Sequence, residues 1–187
     1  WMSSYLNWNV NRIFKDKDRT YSINENIDDD QNLNIHISFL SEMLLAIEKP
    51  VLLIGSQANL IQKQNEPLAN AVKELNIPTF VSGMARGLLS YKELPLFRYE
   101  RKIALKEADL VILAGVPCDF RLDYGRMIHH RAKIITINLS RSDMYLNRRP
   151  AMGILTNPGS FLLEWNKSNN NPKQNKWGNW HQKLSER

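Results

Sequence analysis

Three observations predict an α/β fold whose parallel sheet is covered by helices on both faces. Apolar runs such as Val51-Leu52-Leu53-Ile54 and Leu110–Ala114 show no polar alternation, the mark of strands buried on both faces. Stretches with apolar residues at helical spacing separate these runs, and strands alternating with helices build a parallel sheet. Several runs also stop at a glycine, as at Gly55 and Gly115, where a strand hands over to a loop.

Residues 1 to about 35 are rich in Asn, Asp and Lys, and Asp28-Asp29-Asp30 offers no apolar period, so this stretch is expected to pack poorly. Ile37, Leu40, Leu44 and Ile47 mark one face of a helix that must end before Pro50. The strand Val51–Ile54 follows. Leu68, Ala71, Val72 and Leu75 fall at i, i+3, i+4 and i+7, the signature of an amphipathic helix. Pro78–Val81 reads as the next strand, ending at Ser82-Gly83, and Tyr99–Ala108 as a well-solvated helix carrying Glu100, Arg101, Lys102 and Lys106. Asp109–Gly115 is the clearest strand. A short helix is expected over Leu122–His130, strands over Lys133–Asn138 and Met152–Leu155, and a helix opened by Pro158-Gly159 and carrying Phe161, Leu162 and Trp165. Asn166–Lys176, with Asn169-Asn170-Asn171-Pro172, reads as a linker. Beyond it Trp180 and Leu184, four apart, suit a further helix.

The bulk composition narrows the function classes. A chain of 187 residues fits one domain plus tails, at roughly 100–200 residues per domain. The single Cys118 excludes an internal disulfide and favours a reducing compartment. No apolar run is long enough to span a membrane. The chain begins at Trp1, which suits an excerpt or processed product whose targeting segment lies elsewhere. A net charge of +6 attracts anions such as phosphates or coenzyme A. The basic residues are spread along the chain without interleaved aromatics, so a nucleic-acid surface is disfavoured.

Sheets of this kind bind ligands beyond the carboxyl ends of their strands. That rule puts Gly55-Ser56-Gln57, Ser82–Gly87, Gly115–Arg121 and Asn138–Arg141 on one rim. The first loop lacks the Gly-x-Gly-x-x-Gly pattern, and the second strand ends in Ser82-Gly83 rather than an acid. Both absences argue against a nicotinamide dehydrogenase, and Gly55 serves a turn as readily as a ligand. In the second loop, Gly83, Met84, Ala85, Arg86 and Gly87 combine two glycines that permit close backbone approach with a guanidinium suited to phosphate. The alternative is a sharp turn with an exposed arginine. In the third, Gly115, Val116, Pro117, Cys118, Asp119, Phe120 and Arg121 place an acid for a ribose hydroxyl beside a base for phosphate. Asp119 and Arg121 serve equally well as each other's partners. Cys118 has no base beside it and reads as an inert thiol. His129-His130 lacks companions at ligand spacing, so no metal site is expected, and no catalytic constellation can be assembled. Arg141, Arg148 and Arg149 read as a solvated face.

These same phrases carry a family resemblance. Lys49 to Leu163 resembles the central domain of thiamine-diphosphate enzymes, especially acetolactate synthase-like proteins of the 2-hydroxyacyl-CoA lyase type. The matching segments are PVLLIGSQA (Pro50–Ala58), PTFVSGMARGLL (Pro78–Leu89), ALKEADLVILAGVPCDFRLDYGR (Ala104–Arg126), KIITIN (Lys133–Asn138) and GSFLL (Gly159–Leu163). Ser4-Tyr5-Leu6 and Arg12-Ile13-Phe14 resemble the connection leaving a preceding domain. The resemblance implies a Rossmann-like parallel sheet of about six strands between a pyrimidine-binding and a diphosphate-binding domain. On that basis 1–36 is a linker, 37–166 the central domain, and 167–187 a linker towards a diphosphate-binding domain.

The resemblance also implies that Gly55–Gln57, Gly83–Gly87 and Gly115–Arg121 line a nucleotide, either FAD or an ADP or coenzyme A moiety. The first loop is poorer in glycine than in acetolactate synthases, which weakens FAD. Thiamine diphosphate and magnesium are expected outside this chain, which contains no Gly-Asp-Gly segment. Without that site there is no electron sink, and the isolated chain is expected to be catalytically inert. For the parent the resemblance implies cleavage of a 2-hydroxyacyl-CoA to an aldehyde and formyl-CoA, with pyruvate carboligation or a non-catalytic nucleotide-binding module as alternatives. It further implies a homo-oligomer, and an intracellular setting at the endoplasmic reticulum membrane or in the cytoplasm.

Overall fold

In the computed structural model, described over residues 30–89, 95–168 and 176–186, five strands form one parallel sheet in the order β2-β1-β3-β4-β5. They are β1 (Pro50–Ile54), β2 (Thr79–Val81), β3 (Leu110–Ala114), β4 (Lys133–Asn138) and β5 (Met152–Leu155). Every residue of β1 and β3 is buried, as strands without polar alternation require. Their register is continuous, from Pro50 opposite Leu110 to Ile54 opposite Ala114. The order reverses between β1 and β3, since β2 lies on one side of β1 and β3 on the other. Ligands of open α/β sheets bind in the crevice at such a reversal.

Six helices, α1 (Asp30–Leu45), α2 (Asn65–Leu75), α3 (Arg101–Glu107), α4 (Arg141–Met144), α5 (Pro158–Lys167) and α6 (Gly178–Ser185), join the strands or flank the sheet among the described residues. In α1, Ile37, Leu40 and Leu44 turn to the core, while the exposed Ile35 and Phe39 lie on the other face. Leu68, Ala71, Val72 and Leu75 bury the face of α2 that its spacing foretold. In α5 the cap residue Asn157 accepts hydrogen bonds at Oδ1 from the amides of Gly159 (2.9 Å) and Ser160 (3.1 Å), with Pro158 in the first turn. Its Trp165 is fully buried and donates through Nε1 to Ser41 Oγ (3.2 Å), tying α5 to α1.

Several expectations change in detail. The resemblance implied about six strands, and beyond β2 the described residues supply a single parallel bridge between Thr79 and Leu96. Helix α1 begins at Asp30, within the stretch expected to pack poorly, and α3 is shorter than Tyr99–Ala108. The helix expected over Leu122–His130 is a 3-10 segment, Phe120–Gly125, broken by left-handed residues at Asp123 (φ 49°) and Tyr124 (φ 54°). Arg148 ties down the end of this segment and the turn after it: Nη1 donates to the carbonyls of Gly125 (3.0 Å) and Ile128 (3.4 Å). The Gly125 carbonyl also accepts from Ile128 N–H (3.2 Å). The segments Ser4–Leu6 and Arg12–Phe14, and the Asn169–Pro172 part of the expected linker, lie outside the described residues.

Candidate functional site

The loops after β1, β2 and β3 meet on one rim, as the parallel sheet requires. Their backbones lock directly: Gly55 N–H donates to Ala114 O (2.8 Å), Ser82 N–H to Ile54 O (2.8 Å) and Gly115 N–H to Ile137 O (2.8 Å). Close packing makes glycine necessary at two positions. A Cβ on Gly55 would sit 2.2 Å from Gly115 O, and one on Gly115, itself at φ +74°, would meet Gln57 Cβ at 2.8 Å. Neither contact is sterically tolerable, since both neighbours belong to the tightly held loops.

Much of the first loop works within this framework. Ser56 Oγ accepts from Met84 N–H (3.1 Å), joining the first loop to the second. Gln57 reaches across the rim, donating from Nε2 to Asn138 Oδ1 (3.1 Å) and accepting at Oε1 from Leu139 N–H (3.0 Å). In the second loop, the 3-10 segment Gly83–Gly87, Ala85 is buried while Met84 and Arg86 are exposed. Gly87 faces open space, with nothing within 4 Å of a Cβ placed on it. In the third loop Val116 is buried, and Phe120 is exposed beside the Arg121 guanidinium.

Asp119 and Arg121 pair with each other. Arg121 Nη2 lies 2.7 Å from Asp119 Oδ2, and its Nε is shared between the two carboxylate oxygens. Asp119 Oδ1 also accepts from the Arg121 amide (2.9 Å). The hydrogen bonds that Arg121 donates to the Asp119 carboxylate raise the Arg121 pKa above its ordinary value. Burial raises Asp143, across the rim on α4, with Asp119 adding repulsion.

Beside this pair lies a cationic cleft of about 570 Å³, lined by Phe80, Arg86, Phe97, Arg98, Tyr99 and Arg101 among others. Arg101 Nη2 donates to the Arg121 carbonyl (3.1 Å). Burial, and then the charges of Arg86 and Arg121, lower the Arg101 pKa. Arg101 nonetheless stays charged near neutrality, as guanidiniums do. Arg121 has Asp119 as counter-ion, whereas Arg86 and Arg101 form no ion pair among the described residues. A neighbouring anion would relieve their repulsion. Arg98, Tyr99 and Arg101 were missed as site residues in the sequence because no glycine-rich motif surrounds them. The clustering of arginines in RYER at 98–101 was the available signal.

Elsewhere the candidates are unremarkable in chemistry. Cys118 is buried, its thiol pushed up to about 11 by burial. His129 and His130 stack on each other at 4.5 Å, and no metal-binding cluster exists among the described residues. No described helix is long and apolar enough to cross a membrane.

A parallel sheet with a switch point, and a cationic rim beyond the strand ends, define an open α/β domain of the Rossmann-like class. The model for "Thiamine pyrophosphate enzyme, central domain" matches residues 37–164, and the chain belongs to that family. Over 132 residues it is 45% identical to 2-hydroxyacyl-CoA lyase 2 of Danio rerio, covering 68% of this chain and 21% of that protein. The protein of the same name in Homo sapiens is 42% identical over 127 residues, 66% of this chain and 20% of that one. An acetolactate synthase large subunit of Mycobacterium tuberculosis is 34% identical over 94 residues, 50% of this chain and 17% of that subunit. The chain thus spans about a fifth of the length of the lyases it matches. Among solved structures, a Rhodococcus jostii RHA1 thiamine diphosphate-dependent 4-hydroxybenzoylformate decarboxylase shares the fold, with a TM-score of 0.59 at 14% identity over 83% of this chain and 30% of that one.

Proposed function

We propose that this chain is the nucleotide-binding central domain of a thiamine-diphosphate-dependent 2-hydroxyacyl-CoA lyase, a parent that cleaves its substrate to an aldehyde and formyl-CoA. The observation that carries the nucleotide part is the pair Arg86 and Arg101, two cations without an ion-pair partner among the described residues, beside exposed Tyr99 in one cleft. Guanidiniums favour the diphosphate of an ADP or coenzyme A moiety by bidentate bonds, and an exposed aromatic ring can cover a base. Gly87, next to Arg86, leaves its backbone open to close approach. The rim residues from Gly55 to Gln57 and from Gly115 to Arg121 then act largely by holding the loops that present these groups. Identity to proteins named 2-hydroxyacyl-CoA lyase, higher than to acetolactate synthase, favours the lyase reading.

Thiamine diphosphate and magnesium do not fit this chain. It lacks a Gly-Asp-Gly segment, and its described residues offer no metal-binding cluster. Those groups belong to the flanking pyrimidine- and diphosphate-binding domains of the parent, which we take to be a homo-oligomer. The decisive experiment supplies a 2-hydroxyacyl-CoA, thiamine diphosphate and magnesium to the parent protein and to this chain alone. Aldehyde and formyl-CoA from the parent only are expected. Turnover by the isolated chain, or none by the parent, would overturn the reading.

A further inference from the structure

The last helix, α6, has residues too few to be stable alone, since isolated helices under about 12 residues are marginal in water. It is held by contacts with four other parts of the fold. Trp177 Nε1 donates to Ile47 O (3.1 Å), just after α1, and Trp180 Nε1 to Pro50 O (3.0 Å), at the start of β1. Lys183 pairs with Glu107 at the end of α3 (2.6 Å). His181 Nε2 is hydrogen-bonded to Asn76 O (2.9 Å), the left-handed residue that caps α2. With that nitrogen protonated, the imidazole N–H donates and fixes the plane of the ring.

His181 also meets Phe97, a residue of the cleft wall. Its ring lies 5.6 Å from Phe97, and Phe97 lies 6.1 Å from Phe80. Both phenylalanines line the cleft, and Phe97 N–H donates to Thr79 O (2.8 Å) on β2. A row of three rings thus runs from the inner face of α6 to the cleft wall. His181 and Phe97 are each more than nine-tenths buried, so lifting α6 away would uncover Phe97 from behind.

We propose that His181 is a positioning residue for the cleft, setting Phe97 from behind, so that docking of α6 and the shape of the cleft form one coupled unit. The linkage is reciprocal by thermodynamic necessity: whatever orders Phe97 strengthens the docking of α6, and whatever frees α6 loosens the wall. The inference goes beyond the nucleotide reading and holds for any occupant of the cleft.

Amide hydrogen exchange on the full 187-residue chain tests it without ligand. Phe97→Ala is expected to speed exchange across 178–186 by about tenfold or more, as partial release of a marginal unit does. His181→Ala should speed the amides of Thr79 and Phe97, and His181→Gln, which keeps an N–H donor for Asn76 O, should restore much of their protection. Amides of β4 should not change in any variant. The proposal is overturned if either alanine variant leaves the other side's exchange unaltered. It is equally overturned if β4 accelerates as much as the target amides, which would mark general destabilisation. Because no ligand is used, failure of ADP to bind would count against the nucleotide reading alone.

Discussion

At the scale of single residues, the rim glycines separate into those required by packing and one that is not. Gly115→Ala would combine a left-handed backbone with a Cβ 2.8 Å from Gln57 Cβ. Strain and overpacking together should cost about 2–4 kcal/mol. Gly87→Ala, with open space around it, should shift stability by less than about 0.5 kcal/mol. Urea unfolding of the two variants checks the contrast. The buried Cys118 thiol, pushed up to about 11, should resist alkylation at neutral pH in the native chain and react once the chain is unfolded, because the thiolate is the nucleophile. Reading the sequence located the glycines but not their duty. Spacing shows where a turn falls, whereas the 2.2 Å approach of Gly55 to the Gly115 carbonyl depends on two strands being neighbours. Asp119 and Arg121 show the same limit, since their mutual pairing and a ligand role were equally compatible with two residues' separation.

Among the elements, those with uninterrupted patterns were legible. β1, β3 and β4 are apolar runs and appear as buried strands, and α2 and α5 follow their apolar spacing and cap. The segment Phe120–Gly125 was not legible, because the left-handed backbone of Asp123 and Tyr124 leaves no mark in the apolar pattern. Helix α6 was visible as a pair of residues, Trp180 and Leu184, yet its docking onto α1, β1, α2 and α3 rests on tertiary bonds. That docking carries a pH dependence. Burial lowers the pKa of His181 from its ordinary 6.5, against the opposing bond to Asn76 O. Below pH 6.5 the unfolded chain therefore binds more protons than the folded one, and stability rises with pH through that window. The contribution is complete above 6.5 and is lost progressively as the pH falls towards the lowered native value. Titratable and charged groups on the surrounding elements are Asp30, His36 and Glu42 of α1, Glu66, Lys73 and Glu74 of α2, Arg101, Lys102, Lys106 and Glu107 of α3, and Lys183 of α6 with Glu186 after it. Comparing urea midpoints of wild type and His181→Gln on either side of pH 6.5 isolates the effect. The wild type should lose more stability in acid, and equal losses would refute the assignment.

For the whole molecule, order β2-β1-β3-β4-β5 brings three loops distant in sequence to one side, and Arg86 of the second loop, with Arg101, to one cleft. The parallel sheet was legible from its apolar runs, and the shared rim followed from it. The cleft was only half legible, because Arg98, Tyr99 and Arg101 come from the segment that passes β2 rather than from a strand end. Asp119 satisfies Arg121, so the anion-binding capacity falls to Arg86 and Arg101. Calorimetric titration of ADP into the chain, with Arg86→Ala and Arg101→Ala alongside, tests this most directly. Saturable binding by the wild type is expected, weakened by about tenfold or more in each variant, as removing one charge-assisted bond predicts, with unchanged circular dichroism. Wild-type heats no different from dilution, or variants that bind as tightly as the wild type, would contradict it.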